Sequence, residues 1–139
     1  MHHVGIVVDD LAAAIAFFVE LGLELEGEAA VEGEWAGRII GLEDVRSDIA
    51  MLRTPDGQAR IELSTFHSPP ARAEAIAPAN TLGLRHIAFE VADVDDTAAR
   101  LQALGGELVG EIVEYEGVYR LCYLRGPAGV IVEVAQPLG

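Results

Sequence analysis

The sequence predicts an α+β protein made of two tandem β-α-β-β-β modules, whose strands form a curved mixed sheet that lines a cleft, with helices outside. The first observation is an internal repeat: residues 3–25 lie over residues 86–108, with eight identities among 23 aligned positions. The second is that both copies read as strand, helix and three alternating segments. Because each copy alone is too small to bury a sufficient core, one domain over residues 1–139 is expected.

Each copy opens on a strand that is followed by a helix. The runs HHVGIVV and HIAFEV are short and rich in β-branched or aromatic residues, which favours strands. The segments DDLAAAIAFFVELG and DVDDTAARLQALGG begin with Asp at the N-cap, carry apolar residues at helical spacing and stop at Gly. Two helices of about three turns are therefore expected.

Three alternating segments complete each copy. The expected strands span 23–31, 48–53 and 60–66 in the first copy, and 107–113, 119–125 and 130–135 in the second. Pro and Gly in RTPDGQ and RGPAGV suit tight turns between the last two strands of each copy. Residues 67–83 contain three prolines and are expected to form a linker with one short helical turn. The modules are therefore placed at 1–66 and 84–139.

The composition excludes several classes of function. Nine basic residues stand against 23 acidic ones, a net charge of −14, which excludes nucleic-acid and anionic-membrane surfaces that need clustered positive charge. All nine basic residues are arginines, so no lysine can form a Schiff base. No apolar run approaches the roughly 20 residues of a membrane span, and no signal peptide opens the sequence, so a cytoplasmic protein is expected.

Two histidines and two glutamates break the strand pattern at matching places. His3 and His86 open the first strands of their modules, and Glu62 and Glu133 stand in the last strands. Strand alternation places all four opposite the bulky residues that pack on the helices, so they are expected to point into the cleft. A carboxylate among apolar neighbours needs a countercharge, and imidazole with carboxylate suits a divalent transition metal. The sequence therefore predicts a metal site.

Two further histidines and one cysteine compete for these roles. His2 neighbours His3 and is expected to face the other side of the strand, although it is an alternative ligand. His67 opens the linker, has no counterpart in the second copy and is expected to face solvent. Cys122 lies in an alternating segment and is expected to be a packed, unreactive thiol.

The paired modules and the segments HHVGIVV, RIELSTF, RHIAFEV and VIVEVAQP resemble the vicinal oxygen chelate superfamily, which includes glyoxalase I, methylmalonyl-CoA epimerase, extradiol dioxygenases and bleomycin resistance proteins. The resemblance covers essentially the whole chain. It implies one divalent ion (Ni, Zn, Co, Mn or Fe) held by His3, Glu62, His86 and Glu133. This ligand set is most similar to bacterial glyoxalase I, whereas epimerases have an amide in place of Glu62.

The same resemblance implies a lyase or isomerase of glyoxalase type acting on a small-molecule substrate. A proton next to a carbonyl would move through a metal-chelated enediolate or enolate, with Glu133 as the base and Glu62 as its counterpart. One alternative is a non-catalytic resistance protein that sequesters a small cationic ligand. Another is a ring-cleaving Fe(II) dioxygenase, a branch that typically uses three protein ligands.

Substrate contacts and assembly are less constrained by the sequence. Trp35 and Arg38, expected in the loop and strand region between the first helix and the third strand, are candidates for the pocket mouth. Tyr119, Arg120 and Tyr123 share an alternating strand, so either the two tyrosines or the arginine can face the cleft. Exposed sheet edges favour a homodimer, and the four ligands could come from one chain or from two.

Overall fold

The computed structural model describes residues 1–139, and the chain divides into two compact units, Met1–Glu74 and Ala75–Gly139. Each unit contains a sheet of its own, built from mixed parallel and antiparallel strand pairs. We call them the first and the second unit. No helix in the structure has both the length and the apolar character needed to cross a membrane.

The first unit is a four-stranded sheet with two helices. Its elements are β1 (Val4–Val7), α1 (Leu11–Leu21), β2 (Glu24–Glu32), α2 (Glu34–Ile40), β3 (Arg46–Arg53) and β4 (Arg60–Ser68). The strand order is β1-β4-β3-β2, in which β1 runs parallel to β4 and the remaining pairs are antiparallel. The core is apolar because α1 and the central strands bury their larger side chains, including Phe17, Leu52, Ile61 and Leu63.

The second unit repeats this plan with one helix. Its elements are β5 (His86–Glu90), α3 (Val94–Ala103), β6 (Glu107–Leu108), β7 (Val113–Tyr115), β8 (Tyr119–Arg125), a 3-10 turn (Pro127–Gly129) and β9 (Ile131–Pro137). The strand order is β5-β9-β8-β6, and β7 also pairs with β8. As in the first unit, the opening strand β5 runs parallel to the last strand β9.

The predicted α+β class with a repeated β-α-β-β-β plan is confirmed, and so are both N-caps. Asp10 accepts a hydrogen bond from the backbone N–H of Ala13 at the start of α1. Asp93 accepts one from the backbone N–H of Asp96 at the start of α3. These side chains satisfy backbone donors that have no partner within their helices, which is why Asp is favoured there.

Three local expectations were wrong. Residues 34–40 form helix α2, where a loop and strand were expected, because the glycines at 33 and 41 take positive φ angles that allow the chain to enter and leave one short helix. The strand expected over 107–113 is split into β6 and β7, on either side of a bend that includes Gly110. The linker contains no helical turn, and its first two residues belong to β4.

The start of the second unit is fastened to its sheet by an arginine. The Arg125 guanidinium donates hydrogen bonds to the carbonyl oxygens of Gly129 at 3.0 Å and Ala77 at 2.7 Å. The side chain of Ile76 lies over Gly129, where an added Cβ would be 3.5 Å away. Residues 75–77 therefore belong structurally to the second unit, although they contain no helix or strand.

Gly37 in α2 gives a testable dependence on backbone space. A Cβ at this position would overlap the carbonyl oxygen of Leu42, since the chain after α2 folds back against the helix. Gly37→Ala should therefore lower the free energy of unfolding, measured by urea titration, by about 1–3 kcal/mol. Gly110→Ala is the control, because a Cβ there has nothing within 4 Å. Equal stability of the two variants would contradict this account.

Candidate metal centre

His3 and Glu62 form a close pair in the first unit. The Nε2 of His3, just before β1, lies 3.7 Å from the Oε2 of Glu62 on β4. The parallel register of β1 and β4 sets this distance, because Gly5 pairs with Glu62 and His3 precedes Gly5 by two residues. Register partners share a face of the sheet, so the imidazole lies diagonally across from the carboxylate.

His86 and Glu133 form the equivalent pair in the second unit. Here Nε2 lies 3.3 Å from Oε2, and Ala88 pairs with Glu133 in the parallel register of β5 and β9. His86 precedes Ala88 by two residues, which reproduces the relation found in the first unit. The small residues Gly5 and Ala88 occupy the position beside each carboxylate, so no bulky side chain fills that part of the sheet face.

Both pairs lie on the face of their sheet that is opposite the core. The residues on either side of each glutamate are fully buried: Ile61, Leu63, Val132 and Val134. The side chains of Glu62 and Glu133 retain 29% and 19% exposure, and the two histidines 37% and 38%. The alternation inferred from the sequence therefore describes both strands, and each pair can reach a ligand from solvent.

The nearby arginine of the first unit is occupied elsewhere. Arg60 lies two residues before Glu62 on β4, but its Nε donates to Glu26 at 2.9 Å. This hydrogen bond is the main reason that the pKa of Glu26 lies below its usual value. The basic side chain beside Glu133 is His86, an imidazole and not an arginine. Neither Glu62 nor Glu133 is therefore neutralised by an arginine.

The distances within the pairs are close to those between ligands that share a metal ion. Nitrogen and oxygen ligands about 2.0–2.2 Å from an ion lie about 3.0–3.4 Å from each other in tetrahedral or octahedral geometry. The 3.3 Å pair in the second unit falls within this range, and the 3.7 Å pair in the first unit is slightly wider. No group of three or more His, Cys, Asp or Glu side chains in the structure is placed to hold a metal ion. Each unit thus provides two fitting donors.

The residue facing each glutamate from the neighbouring strand differs between the units. Met51 pairs with Glu62 across β3 and β4, and Tyr123 pairs with Glu133 across β8 and β9. The Tyr123 ring packs against the His86 ring with centroids 4.8 Å apart. Tyr119 is four residues before Tyr123 on β8 and lies on the same face of the sheet.

Arg120 points to the opposite face of β8, where it binds helix α3. Its Nε and Nη2 donate to the two carboxylate oxygens of Asp95 at 2.8 and 2.9 Å. This bidentate hydrogen bond is the main reason that the pKa of Asp95 lies below its usual value. Of the residues considered in this strand, the tyrosines and not Arg120 share the face of Glu133.

Trp35 and Arg38 lie on α2, away from the His3–Glu62 pair along the sheet. Trp35 is exposed. Arg38 lines a cavity of about 920 Å³ in the first unit, together with Glu32 at the end of β2 and Ser68 at the end of β4. Ser68 is six residues beyond Glu62 on β4, a separation of about 20 Å at about 3.3 Å per residue.

The two histidines outside the pairs, His2 and His67, differ from the sequence prediction in their position or orientation. His2 was expected to face away from His3, but their Nδ1 atoms are 2.8 Å apart and the rings meet edge to face. His2 lies two residues before β1, outside the paired strand, and its ring contacts His3 instead of facing the other side. His67 belongs to β4 instead of the linker; it is exposed, as expected, and its Nε2 lies 2.7 Å from Asp48 Oδ2.

Cys122 is buried on β8, in agreement with the expected packed thiol. Burial is the main cause that raises its pKa to about 11. At pH 8 only about one thiol in a thousand is then ionised. Ellman's reagent should therefore react slowly with the folded protein at pH 8 and rapidly in denaturant. Rapid reaction of one thiol per folded chain would contradict this placement.

The sequence of this chain is similar to those of known proteins. The sequence model of a family described as the Glyoxalase/Bleomycin resistance protein/Dioxygenase superfamily matches residues 2–123. The uncharacterized protein YaeR of Escherichia coli K12 is 30% identical over 137 residues, which cover 96% of this chain and 93% of that protein. A 2-epi-5-epi-valiolone epimerase of an Actinomyces species is 35% identical over 111 residues, which cover 76% and 59% of the two chains.

A solved structure is still more similar. The crystal structure of a glyoxalase family protein from Bacillus cereus is 53% identical to this chain and superposes with a TM-score of 0.95. The match covers 100% of this chain and 94% of that chain.

Proposed function

Because the chain belongs to the glyoxalase/bleomycin resistance protein/dioxygenase superfamily, we propose that it is a divalent-metal-dependent lyase or isomerase. The reaction would move a proton on a carbon atom next to a carbonyl of a small molecule. The observation that carries the proposal is the His–Glu pair that both units repeat at the same register, on the face opposite the core. An epimerase among the relatives supports the isomerase class.

His3, Glu62, His86 and Glu133 would hold the metal in this proposal. Two imidazole nitrogens and two carboxylates form a donor set that suits Ni, Zn, Co, Mn or Fe. A bound divalent ion would supply Lewis-acid stabilisation of the negative charge that develops on the substrate carbonyl oxygen. The ion would also provide the countercharge that no arginine gives to the two glutamates.

Glu133 would act as the general base. Its carboxylate is the less exposed of the two, at 19%, and the Nε2 atom of His86 lies 3.3 Å from it. Partial burial limits the water that competes for the carboxylate, so it can approach a substrate C–H bond directly. Glu62 occupies the same register position in the first unit. It would be the second carboxylate of the reaction, which exchanges a proton with the other face of the substrate.

Tyr123 is the substrate contact that we propose first. Its ring packs on His86 and its strand position pairs with Glu133, so it lies beside both residues of the second pair. Tyr119, on the same face, would extend this contact along the strand. Arg120 binds Asp95 on the other face of β8 and is therefore not proposed as a substrate contact. Arg38 would bind only a long substrate, since it lines a cavity that reaches the far end of β4, and Trp35 lies on the same short helix.

We also propose that the protein is a homodimer. The exposed edge strand β2 gives little support for a dimer. Four of its nine residues are glutamates, whose charges oppose pairing with another strand edge. The better support is the set of large apolar side chains exposed on and after α2, namely Trp35, Ile39, Ile40 and Leu42. Light scattering during gel filtration should give the mass of two chains, and the mass of one would reject the dimer.

The test of the activity is solvent deuterium exchange by the metal-loaded protein. α-Hydroxy ketones, thiohemiacetals and acyl-CoA esters would each be incubated in D₂O with protein that carries Ni, Zn, Co, Mn or Fe. Mass spectrometry should show one deuterium at the carbon beside the carbonyl, and chelation should stop its incorporation. Protein that binds a cationic ligand equally well without metal, and exchanges no substrate, would support the sequestering alternative.

A further inference from the structure

His2 gives the histidine of the first unit a hydrogen-bond partner that the second unit lacks. The Nδ1 atoms of His2 and His3 are 2.8 Å apart, and the ring centroids are 5.1 Å apart in an edge-to-face arrangement. The other nitrogen of His3, Nε2, is the atom that lies 3.7 Å from Glu62. The two nitrogens of His3 therefore have different neighbours, and only Nε2 is directed toward the proposed metal ligands.

A hydrogen bond between two neutral imidazoles allows only one of the two facing nitrogens to carry the proton. If His3 donates, its proton is on Nδ1, and Nε2 keeps the lone pair that a metal needs. If His2 donates, the proton of His3 is on Nε2, which then cannot bind a metal. The direction of this one hydrogen bond decides whether His3 is competent as a ligand.

We propose that His2 is a positioning residue that accepts the Nδ1 proton of His3 and so presents Nε2 of His3 as a ligand. This inference rests on the proposed metal site. It assigns to His2 a role through His3 and no contact with the ion. Accepting this proton requires His2 to carry its own proton on Nε2, which is a tautomer that a neutral histidine readily adopts.

The second unit orients its histidine differently. Arg85 precedes His86 as His2 precedes His3, but a guanidinium has five donors and no acceptor, so it cannot take a proton from the ring. His86 is instead packed against the ring of Tyr123, with centroids 4.8 Å apart. One half of the proposed site is therefore oriented by a hydrogen bond and the other by ring packing. A substitution of His2 should affect the first half alone.

The experiment compares Co²⁺ binding by four proteins: wild type, His2→Ala, His2→Asn and His67→Ala. The dissociation constant is measured by competition with a chelator, and the visible spectrum of bound Co²⁺ reports its coordination. His2→Ala should raise the dissociation constant about 10- to 100-fold and alter the spectrum. His2→Asn should recover most of the affinity, because its amide oxygen can accept the Nδ1 proton. His67→Ala controls for the loss of a histidine. Its Co²⁺ affinity should match that of wild type, because the His67 ring contacts Asp48 and not the proposed ligands.

A second readout follows the proton directly. In ¹⁵N-labelled protein loaded with Zn²⁺, His3 should show a protonated Nδ1 in wild type and in His2→Asn, with the Nδ1–H signal shifted or exchange-broadened in His2→Ala. Circular dichroism establishes that every variant is folded. If His2→Ala binds Co²⁺ within twofold of wild type and with the same spectrum, the role of His2 is overturned while the metal site stands. If folded wild type binds no Co²⁺, the proposed function falls, and the role of His2 falls with it.

Discussion

Replacing Glu133 by glutamine should lower the rate of substrate deuterium exchange by a factor of about 10² to 10⁴, which is the usual contribution of a positioned general base. The amide has nearly the same shape as the carboxylate but cannot take up a proton from carbon. It is also a weaker ligand for a divalent ion, so the rate should be measured at saturating metal. Mass spectrometry of the exchanged substrate gives the rate directly.

Glu90→Gln is the matched control for this variant. Glu90 lies on β5 of the same sheet, four residues after His86 and therefore on the same face, but it is exposed and outside the His86–Glu133 pair. The control should exchange deuterium at the wild-type rate. If both variants lose activity alike, the loss reflects the charge of the sheet face, and Glu133 is not the base.

Replacing His86 by alanine should weaken metal binding by about 100-fold or more. Structural Zn²⁺ sites with four ligands bind with about 10–16 kcal/mol, so one ligand contributes on the order of 3 kcal/mol, and 1.4 kcal/mol is a factor of ten. The removal also leaves Glu133 without the imidazole that lies 3.3 Å from its carboxylate. Dissociation constants for Zn²⁺, obtained by chelator competition, measure the effect.

Thermal unfolding gives an independent measurement for the same variant. A ligand that binds only the folded state stabilises it, so excess Zn²⁺ should raise the melting temperature of wild type. His86→Ala should lose most of that rise, whereas His67→Ala, which removes a histidine paired with Asp48, should keep it. Equal rises for all three proteins would mean that the metal binds elsewhere.

The repeat is the reason that the sequence could predict the fold and both His–Glu pairs. A single glutamate in an apolar strand has many explanations, but Glu62 and Glu133 make the same exception at the same register. Strand alternation then fixes the face of each side chain, since a shift by one residue would move Ile61 or Val132 out of the core. The class of fold and the placement of these side chains therefore followed from two aligned copies.

Features without a counterpart in the other copy were missed. Helix α2 occurs only in the first unit. It is short and its Ile39 and Ile40 are exposed, so the sequence contains no apolar stripe that would predict a helix there. The contact between His2 and His3 forms before β1 begins, so the alternation of side chains in β1 does not predict the orientation of His2. Side-chain alternation places Arg120 and the tyrosines on opposite faces of β8, but it does not show which face packs on α3. That choice depends on the contact between Arg120 and Asp95, which are 25 residues apart in sequence.

The hydrogen bond from Arg125 to Ala77 determines where this chain can be cut into fragments. A separately expressed second half that began at Pro78 would lose the Ala77 carbonyl and the cover that Ile76 gives to Gly129. Split reporters and circular permutants should therefore open the chain within residues 71–74, which are exposed and outside every helix and strand. Each fragment of such a split protein would retain one whole His–Glu pair.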